Sequence, residues 1–469
     1  MGGSSALWRG WHLLGAADPA NTREAATCTV GAVRLAGLGG ALTWDLMYRT
    51  GMARPGKAAV EALFGPGRIG PVVTGNRFVR AGTSEGMVDH RNRANADLAR
   101  LLGRLAGLGV GLIITGHMFV ERRGQYDADQ TAIDTDEAIG PLAAVVAAVH
   151  RHGGKIFAQL SHAGSQSVVV GNRPIAPSAV PNVMTGREVP AATSVEIEGI
   201  VEAFGAAARR AVAAGFDGVH LHGANGYLIS QFCSPLTNQR EDRWGGSPER
   251  RDSFVIEVTR RVRAELPPTH ALSVKLGFID VMEGGLGFDE SIPRARLVRA
   301  AGADAVEVSL NVMSSYADNI VPYVAVTSRR AVADLLPHRL LRPPAAEAYY
   351  RPIARALRPA VQVPLVLGGG IRSVATMADV ITSGDADFVA LARPFIREPG
   401  LVRRIEHGLR DTVDCTSCNL CIMHSGHHPL QCWRIPRSQL ARHAFFRITG
   451  GFRGGIGSGL KPTTPDAKP

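Results

Sequence analysis

The feature that most constrains this chain is a strand-like run followed by a helix-like segment, repeated eight times between residues 78 and 391. The runs are short and apolar, and the segments between them show helical periodicity. This alternation requires parallel strands joined by helical crossovers, and eight such units close into a barrel. We therefore predict an α/β fold, a (βα)8 TIM barrel with a short cysteine-containing C-terminal extension. The predicted strands are residues 78–81, 110–115, 156–160, 216–221, 272–276, 305–309, 364–367 and 388–391.

An open, doubly wound sheet is the competing architecture. It would need a G-x-G-x-x-G turn after an early strand, and the sequence has none there. We predict that residues 61–410 form the barrel, 411–440 a cysteine-rich extension and 441–469 a disordered tail. Residues 1–60 are predicted to be a leader, either flexible or preceding a natural start near Met52.

Composition and charge exclude two classes of protein. The 469-residue chain has no uninterrupted apolar run of eighteen residues, so we predict no membrane span. Its net charge of +11 would suit a nucleic-acid partner, but the arginines are scattered and no basic run is interleaved with aromatics. Six cysteines without a secretory signal indicate a reducing compartment, and we predict a cytoplasmic protein.

The catalytic chemistry of a barrel lies where its strands end. His222 and Asn225 follow the fourth predicted strand, and both side chains can donate to one carbonyl oxygen as negative charge develops on it. Tyr227 could supply a proton to the adjacent carbon, or it could only pack. His162 and His220 are better explained as structural histidines. We therefore predict His222, Asn225 and Tyr227 as catalytic residues.

Other strand ends offer groups that suit an anionic cofactor. Gln159 both donates and accepts hydrogen bonds, which suits the edge of a pyrimidine-like ring. Lys275 would stabilise negative charge on a reduced ring. Gly369 and Gly370 let backbone N–H groups approach a phosphate, and Arg393 adds positive charge.

Several motifs, taken together, resemble one known family. Residues 222–232 read HGANGYLISQF, and NRF at 76–78, GLII at 111–114, QLSHAG at 159–164 and DFVALARP at 387–394 occur in matching order. The pattern resembles that of the Old Yellow Enzyme, or NADH:flavin oxidoreductase, family over roughly residues 61 to 440.

The resemblance implies FMN bound non-covalently at the barrel mouth and reduced by NADH or NADPH. It implies hydride transfer to an activated alkene or a related acceptor, as in an ene-reductase. It also assigns some residues to the flavin ring and others to the phosphate. The residues assigned to FMN are Ser84, Gly116, Gln159, Lys275, Gly369, Gly370, Ala392 and Arg393.

Four cysteines after the barrel have a metal-type spacing: Cys415, Cys418, Cys421 and Cys432. Thiolates at these separations could hold an iron–sulfur cluster or zinc. The segment resembles the one that carries a [4Fe–4S] cluster in the dienoyl-CoA reductase branch, where the second gap is usually one residue longer. A bound cluster, a zinc ion and unoccupied thiols all stay open.

We thus predict an FMN-dependent NAD(P)H oxidoreductase whose partners are a nicotinamide nucleotide and a small-molecule acceptor. An iron–sulfur flavoprotein reductase of the dienoyl-CoA reductase type is one alternative. A non-catalytic flavin- or metal-binding protein is the other. The sequence does not decide between monomer and oligomer.

Overall fold

The computed structural model describes residues 54–313, 347–415, 417, 420–423 and 429–433. Eight parallel strands form a closed ring, in which the last strand pairs with the first. A two-stranded antiparallel hairpin precedes the ring, and one short strand extends the edge of β6 beyond it. In chain order the hairpin is β1 (Gly67–Ile69) and β2 (Val72–Thr74), the short strand is β5 (Met118–Phe119), and the ring is β3 (Phe78–Arg80), β4 (Leu112–Ile114), β6 (Lys155–Ser161), β7 (Gly218–Gly223), β8 (Ala271–Gly277), β9 (Ala305–Ser309), β10 (Leu365–Leu367) and β11 (Phe388–Leu391).

Helices connect the ring strands and pack around them. The first precedes the barrel and the last lies in the cysteine-rich segment. The helices are α1 (Lys57–Phe64), α2 (Ala96–Gly107), α3 (Ile139–His150), α4 (Ser194–Ala213), α5 (Leu228–Cys233), α6 (Pro248–Arg251), α7 (Ser253–Glu265), α8 (Phe288–Ala300), α9 (Arg351–Leu357), α10 (Val374–Thr382), α11 (Arg393–Arg397), α12 (Leu401–Glu406) and α13 (Leu420–Met423).

Helix α4 shows how local sequence fixes these elements. The Thr193 side chain accepts from the Glu196 backbone N–H, and the Glu196 carboxylate accepts from the Thr193 N–H, which completes a capping box. Ile197, Ile200 and Phe204 follow at helical spacing and are fully buried. Capping and the apolar stripe therefore agree on where this helix begins and which face it buries.

The hairpin β1–β2 closes the amino-terminal end of the barrel. Its Ile69 and Val72 pack in one buried apolar cluster with residues near the starts of the ring strands, among them Phe157 and Phe388. Gly67 lies so close to the Phe388 ring that a Cβ atom there would overlap it. The interior at this end is a packed core, which leaves the opposite, carboxyl-terminal end as the mouth.

The structure confirms the predicted barrel, and each of the eight predicted strands lies within two residues of an observed one. The hairpin and β5 were not predicted. Helix α1 begins at Lys57, inside the predicted leader, because Val60 and Leu63 are buried in the core. Residues 1–53 and the predicted tail, 441–469, lie outside the described residues. No helix in the described ranges is long and apolar enough to cross a membrane.

Candidate active site

Strands β6 to β9 bring polar side chains together inside the barrel. The strand register places Gln159 opposite His220, His222 opposite Lys275, and Lys275 opposite Glu307. Because all four strands run in the same direction, these side chains lie toward the same end of the barrel. The structure thus brings together Gln159, His222 and Lys275, which the sequence analysis predicted for the site. It adds His220 and Glu307, which that analysis did not place there.

The unpredicted group at the centre is Glu307, which is buried and contacts two cations or potential cations. Its Oε1 lies 3.2 Å from Lys275 Nζ, and its Oε2 lies 3.1 Å from His220 Nε2, although the latter two atoms are not aligned for a linear hydrogen bond. Burial raises the pKa of the Glu307 carboxyl, but Lys275 and His220 outweigh burial and lower it to about 2. Glu307 is therefore an anion at neutral pH.

His220 connects Glu307 to Gln159. Gln159 Nε2 lies 3.0 Å from His220 Nδ1, which is within hydrogen-bonding distance. This contact restricts the orientation of the Gln159 amide. A Cβ atom on Gly82 would lie 2.5 Å from the same amide, so this loop approaches Gln159 as closely as only glycine permits.

His222 is buried, and its Nδ1 has no hydrogen-bond partner among the described residues. Burial lowers the pKa of His222 well below 6.5, and the nearby Lys275, His117 and His220 lower it further. The ring is therefore neutral at pH 7. A buried polar atom is normally paired, so an unpaired one facing a polar site indicates a place where a ligand binds.

Asn225 follows β7 in a left-handed conformation with φ of 61°. Asparagine tolerates this region better than most residues. The Asn225 Nδ2 donates to Ser309 Oγ at 3.2 Å and lies 3.9 Å from Met313 Sδ. The amide has two N–H bonds, and its second acceptor, the Met313 thioether, is a weak one that a ligand oxygen could replace.

Aromatic rings surround the predicted proton donor, Tyr227. Its ring centroid lies 4.7 Å from that of His222, 5.0 Å from His117 and 5.7 Å from Tyr126. The sequence analysis missed His117, which is buried and whose Nδ1 lies 2.8 Å from Gln130 Nε2. Burial, and then Lys275, lower the pKa of His117 to about 4. His117 is therefore a second neutral imidazole near Tyr227.

The loops after β3 and β4 form another wall of the mouth. The Gly116 N–H donates to the Glu85 carboxylate at 2.9 Å, and a Cβ atom on Gly116 would overlap that carboxylate. Glu85 in turn pairs with Arg80 at 2.8 Å. Ser84, half-buried, precedes Glu85 in this loop. The structure requires glycine at position 116, but it commits the Gly116 N–H to a side chain of the protein.

The loops after β10 and β11 lie side by side because these strands pair in parallel. Gly369 and Gly370 have φ values of 97° and 72°, which favour glycine and turn the backbone sharply. Ala392 directly precedes α11, which begins at Arg393. Gly369 and Gly370 thus lie directly after β10, and phosphate binding by them stays a prediction.

One nearby helix end is already occupied. The Glu347 carboxylate accepts from the backbone N–H groups of Arg372 and Ser373, at the start of α10. This carboxylate satisfies donors that a phosphate could otherwise use. A phosphate bound at these two loops would therefore depend on the glycine turn and on the start of α11.

The cysteine-rich segment returns to the mouth. The Leu430 N–H donates to the Glu85 backbone oxygen at 2.8 Å, and Cys432 is buried nearby in the chain. Cys415 and Cys421 are half-buried, and Cys418 lies outside the described residues. Among the residues that are described, no group of three or more histidine, cysteine or acidic side chains could hold a metal ion. The four-cysteine site stays a prediction.

A family model matches most of the chain. Residues 62–412 match the NADH:flavin oxidoreductase / NADH oxidase family. An NADH oxidase from Thermoanaerobacter brockii is 34% identical over 77% of this chain and 53% of its own length. A 4,4′-dithiodibutanoate disulfide reductase from Rhodococcus erythropolis is 32% identical over 78% of this chain and 93% of its own length. The chain thus spans about half of the first relative and nearly all of the second.

The fold also matches solved structures. An Old Yellow Enzyme homologue from Zymomonas mobilis superimposes with a TM-score of 0.62 at 26% identity, over 79% of this chain and 99% of that one. The shared region includes the complete barrel of that protein.

Proposed function

The chain belongs to the NADH:flavin oxidoreductase / NADH oxidase family, and from this premise we propose that it passes hydride from NADH or NADPH, through FMN, to an activated alkene such as an enone. Family membership confirms the predicted class of enzyme, an oxidoreductase, and the predicted cofactors, FMN and a nicotinamide nucleotide. The choice of acceptor, and the residue roles given below, are the proposal.

The observation that carries the proposal is the neutral imidazole of His222 beside the Lys275 ammonium group, with a buried Nδ1 that has no hydrogen-bond partner in the described part of the chain. A neutral imidazole can donate one hydrogen bond to a substrate oxygen without adding a charge. Asn225 would donate to the same oxygen with the N–H that otherwise meets the weak acceptor Met313 Sδ. Two donors already fixed in a water-poor site stabilise developing negative charge better than mobile water does.

The residues at the mouth fit FMN. The fixed amide of Gln159 suits the polar edge of the flavin ring, and Lys275 suits its negative charge after reduction. The left-handed turn at Gly369 and Gly370 suits a phosphate. These residues would hold FMN, which would supply hydride-transfer chemistry between the nicotinamide and the acceptor. The other residues that we propose for this site are Ser84, Gly116, Ala392 and Arg393.

Tyr227 would supply the proton that completes reduction of the carbon–carbon double bond. Its ring is 6% exposed and lies beside His222, so a carbonyl held by His222 would bring its α-carbon near the tyrosine. Tyr227 would give its proton to the α-carbon, and the hydride supplied at the β-carbon would complete the saturated product. His117 packs against the same ring and would restrict its orientation.

One observation favours a second candidate, an iron–sulfur flavoprotein reductase. The Leu430–Glu85 hydrogen bond brings the segment containing Cys432 to the mouth, where a cluster could exchange electrons with a flavin. Under this alternative, Cys415, Cys418, Cys421 and Cys432 would bind the cluster. Iron and acid-labile sulfide in stoichiometric amounts would favour this candidate, and their absence from anaerobically purified protein would count against it.

The direct test is an anaerobic titration of the purified protein followed by visible absorbance. We expect a flavin spectrum that bleaches with NADH or NADPH and recovers when cyclohexenone is added. Recovery with 4,4′-dithiodibutanoate but not with cyclohexenone would move the acceptor to the disulfide class that the R. erythropolis relative is named for. A bound flavin that neither nucleotide reduces would indicate a non-catalytic binding protein.

A further inference from the structure

Glu307 has no part in the function proposed above, yet it contacts Lys275, which we place at the flavin ring. Its carboxylate is 3% exposed and lies 3.2 Å from Lys275 Nζ. Lys275 and Glu307 are direct partners in the β8–β9 register, so the backbone holds the two side chains next to each other. A charge in the middle of a barrel strand is costly to bury unless it is paired.

The pairing changes what Lys275 can do. A lysine alone at the mouth would present a full positive charge to a bound anion. With an ionised carboxylate at 3.2 Å, the pair presents a dipole, and the field at a nearby ligand is much weaker than that of the ammonium alone. Of the imidazoles around this pair, His117 and His222 are neutral at pH 7 and do not replace the lost charge. The third, His220, contacts the other oxygen of Glu307 at 3.1 Å.

The second buried carboxylate at the mouth does not act on Lys275. Glu85 pairs with Arg80 at 2.8 Å and accepts from the Gly116 N–H. Arg80 also donates to the Ile114 backbone oxygen at 2.7 Å, which fixes the guanidinium on the far loops. The offset of the lysine charge is therefore a property of Glu307.

We propose that Glu307 is a positioning residue that offsets the charge of Lys275 and thereby limits how strongly the site favours reduced, anionic FMN over oxidised FMN. The inference rests on the FMN site proposed above. It predicts that the protein sets the reduction potential of its flavin with a pair of residues, and that the lysine alone would set it higher.

The test is the reduction potential of bound FMN in the wild type and in Glu307→Gln, measured by spectroelectrochemical titration. The substitution keeps the size of the side chain and removes its charge. We expect the ratio of affinities for reduced and oxidised FMN to rise about tenfold, which raises the two-electron potential by about 30 mV. An unchanged or lower potential in a folded, FMN-loaded variant would overturn the inference.

A matched control distinguishes this effect from a general change of charge. Glu202 lies on the outer helix α4 and pairs with Arg261 there, so Glu202→Gln makes the same charge change far from the mouth. We expect no shift of potential in this control. Glu307→Asp, which keeps the carboxylate, should stay nearer to the wild type than Glu307→Gln does.

A double variant covers the case in which Glu307→Gln does not fold. Glu307→Gln with Lys275→Gln buries no unpaired charge. If the two charges offset each other, the affinity ratio of the double variant stays within about threefold of the wild type. A fall of tenfold or more would mean that Lys275 acts unopposed, against the inference. A wild-type protein that takes up no FMN would instead overturn the proposed function, and the inference with it.

Discussion

The two ends of the barrel are built from the same strands but differ in almost every physical property. At the hairpin end, the packed cluster is apolar and includes Ile69, Val72 and Phe388. At the mouth, an amide, an imidazole, a carboxylate and an ammonium group form a chain in which each contacts the next at 3.0–3.2 Å. Apolar side chains pack closely at one end, whereas polar groups at the other end are arranged to contact a ligand.

Strand β6 shows how small the step between the two ends is. Phe157 belongs to the apolar cluster, and Gln159, two residues later on the same face of the strand, belongs to the polar network. The position along the barrel axis, and not the strand, decides the chemistry. We therefore expect substitutions at the hairpin end to change stability and substitutions at the mouth to change reactivity.

The largest expected effect is on stability and comes from a substitution at the apolar end of the barrel. Phe388 is fully buried against the hairpin, so Phe388→Ala leaves a cavity and should lower the free energy of unfolding by about 3–5 kcal/mol. Denaturant unfolding of the FMN-loaded protein measures this free energy. The variant that remains folded should keep the wild-type reduction potential. A large change in potential with little loss of stability would contradict the division between the two ends.

A substitution at the mouth should have a comparable effect on the rate of flavin oxidation, without loss of stability. His222→Ala removes a fixed donor to the substrate oxygen, so the oxidation of reduced flavin by cyclohexenone should slow about 10²–10³-fold, or about 2.7–4 kcal/mol. Stopped-flow absorbance measures this step. The control is His150→Ala on the outside of α3, where the imidazole pairs with Asp217. Equal slowing in both variants would remove the proposed role of His222.

A smaller effect that distinguishes the two ends is the pH dependence of the free energy of unfolding. The pKa of His117 is lowered to about 4 in the folded protein, mainly by burial, against 6.5 for an unperturbed histidine. Between these values the unfolded chain binds a proton that the native state does not, so stability is lost as the pH falls below 6.5. At about 1.4 kcal/mol per unit, the loss from His117 reaches about 2 kcal/mol by pH 5.

The pH effect is measured as a difference between two proteins. His117→Gln has no imidazole to titrate, so its free energy of unfolding should fall less than that of the wild type between pH 7 and pH 5. Parallel curves would show that His117 takes up a proton in the native state as easily as in the unfolded chain. The apolar cluster at the hairpin end contributes no such dependence, since its members do not ionise.

Much of the barrel was predictable because strand and helix periods are local properties of the sequence. The strands at Ala305–Ser309 and Phe388–Leu391 have the predicted bounds. Gln159, His222 and Lys275 were found because parallel strands place their ends together, so the position of each along its strand was enough. Their proposed roles stay predictions.

What sequence reasoning missed depends on partners that are distant in the chain. Glu307 lies inside an apolar strand, and a buried charge there signals a buried partner, but spacing alone does not say that the partner is Lys275. His117 and the commitment of Gly116 to Glu85 likewise arise from loops that meet only in the folded barrel. The signal for Glu307 is its charge, which stands among the apolar residues of β9.

The hairpin that closes the amino-terminal end has a consequence for how this protein can change over evolutionary time. Most substitutions that create a new activity cost stability, and a protein tolerates them only while it has stability to spare. Here the closing hairpin lies away from the mouth, so better packing around Ile69 and Phe388 could increase stability without altering the polar groups. A lineage could thus accumulate robustness at one end of the barrel and later explore new acceptors at the other.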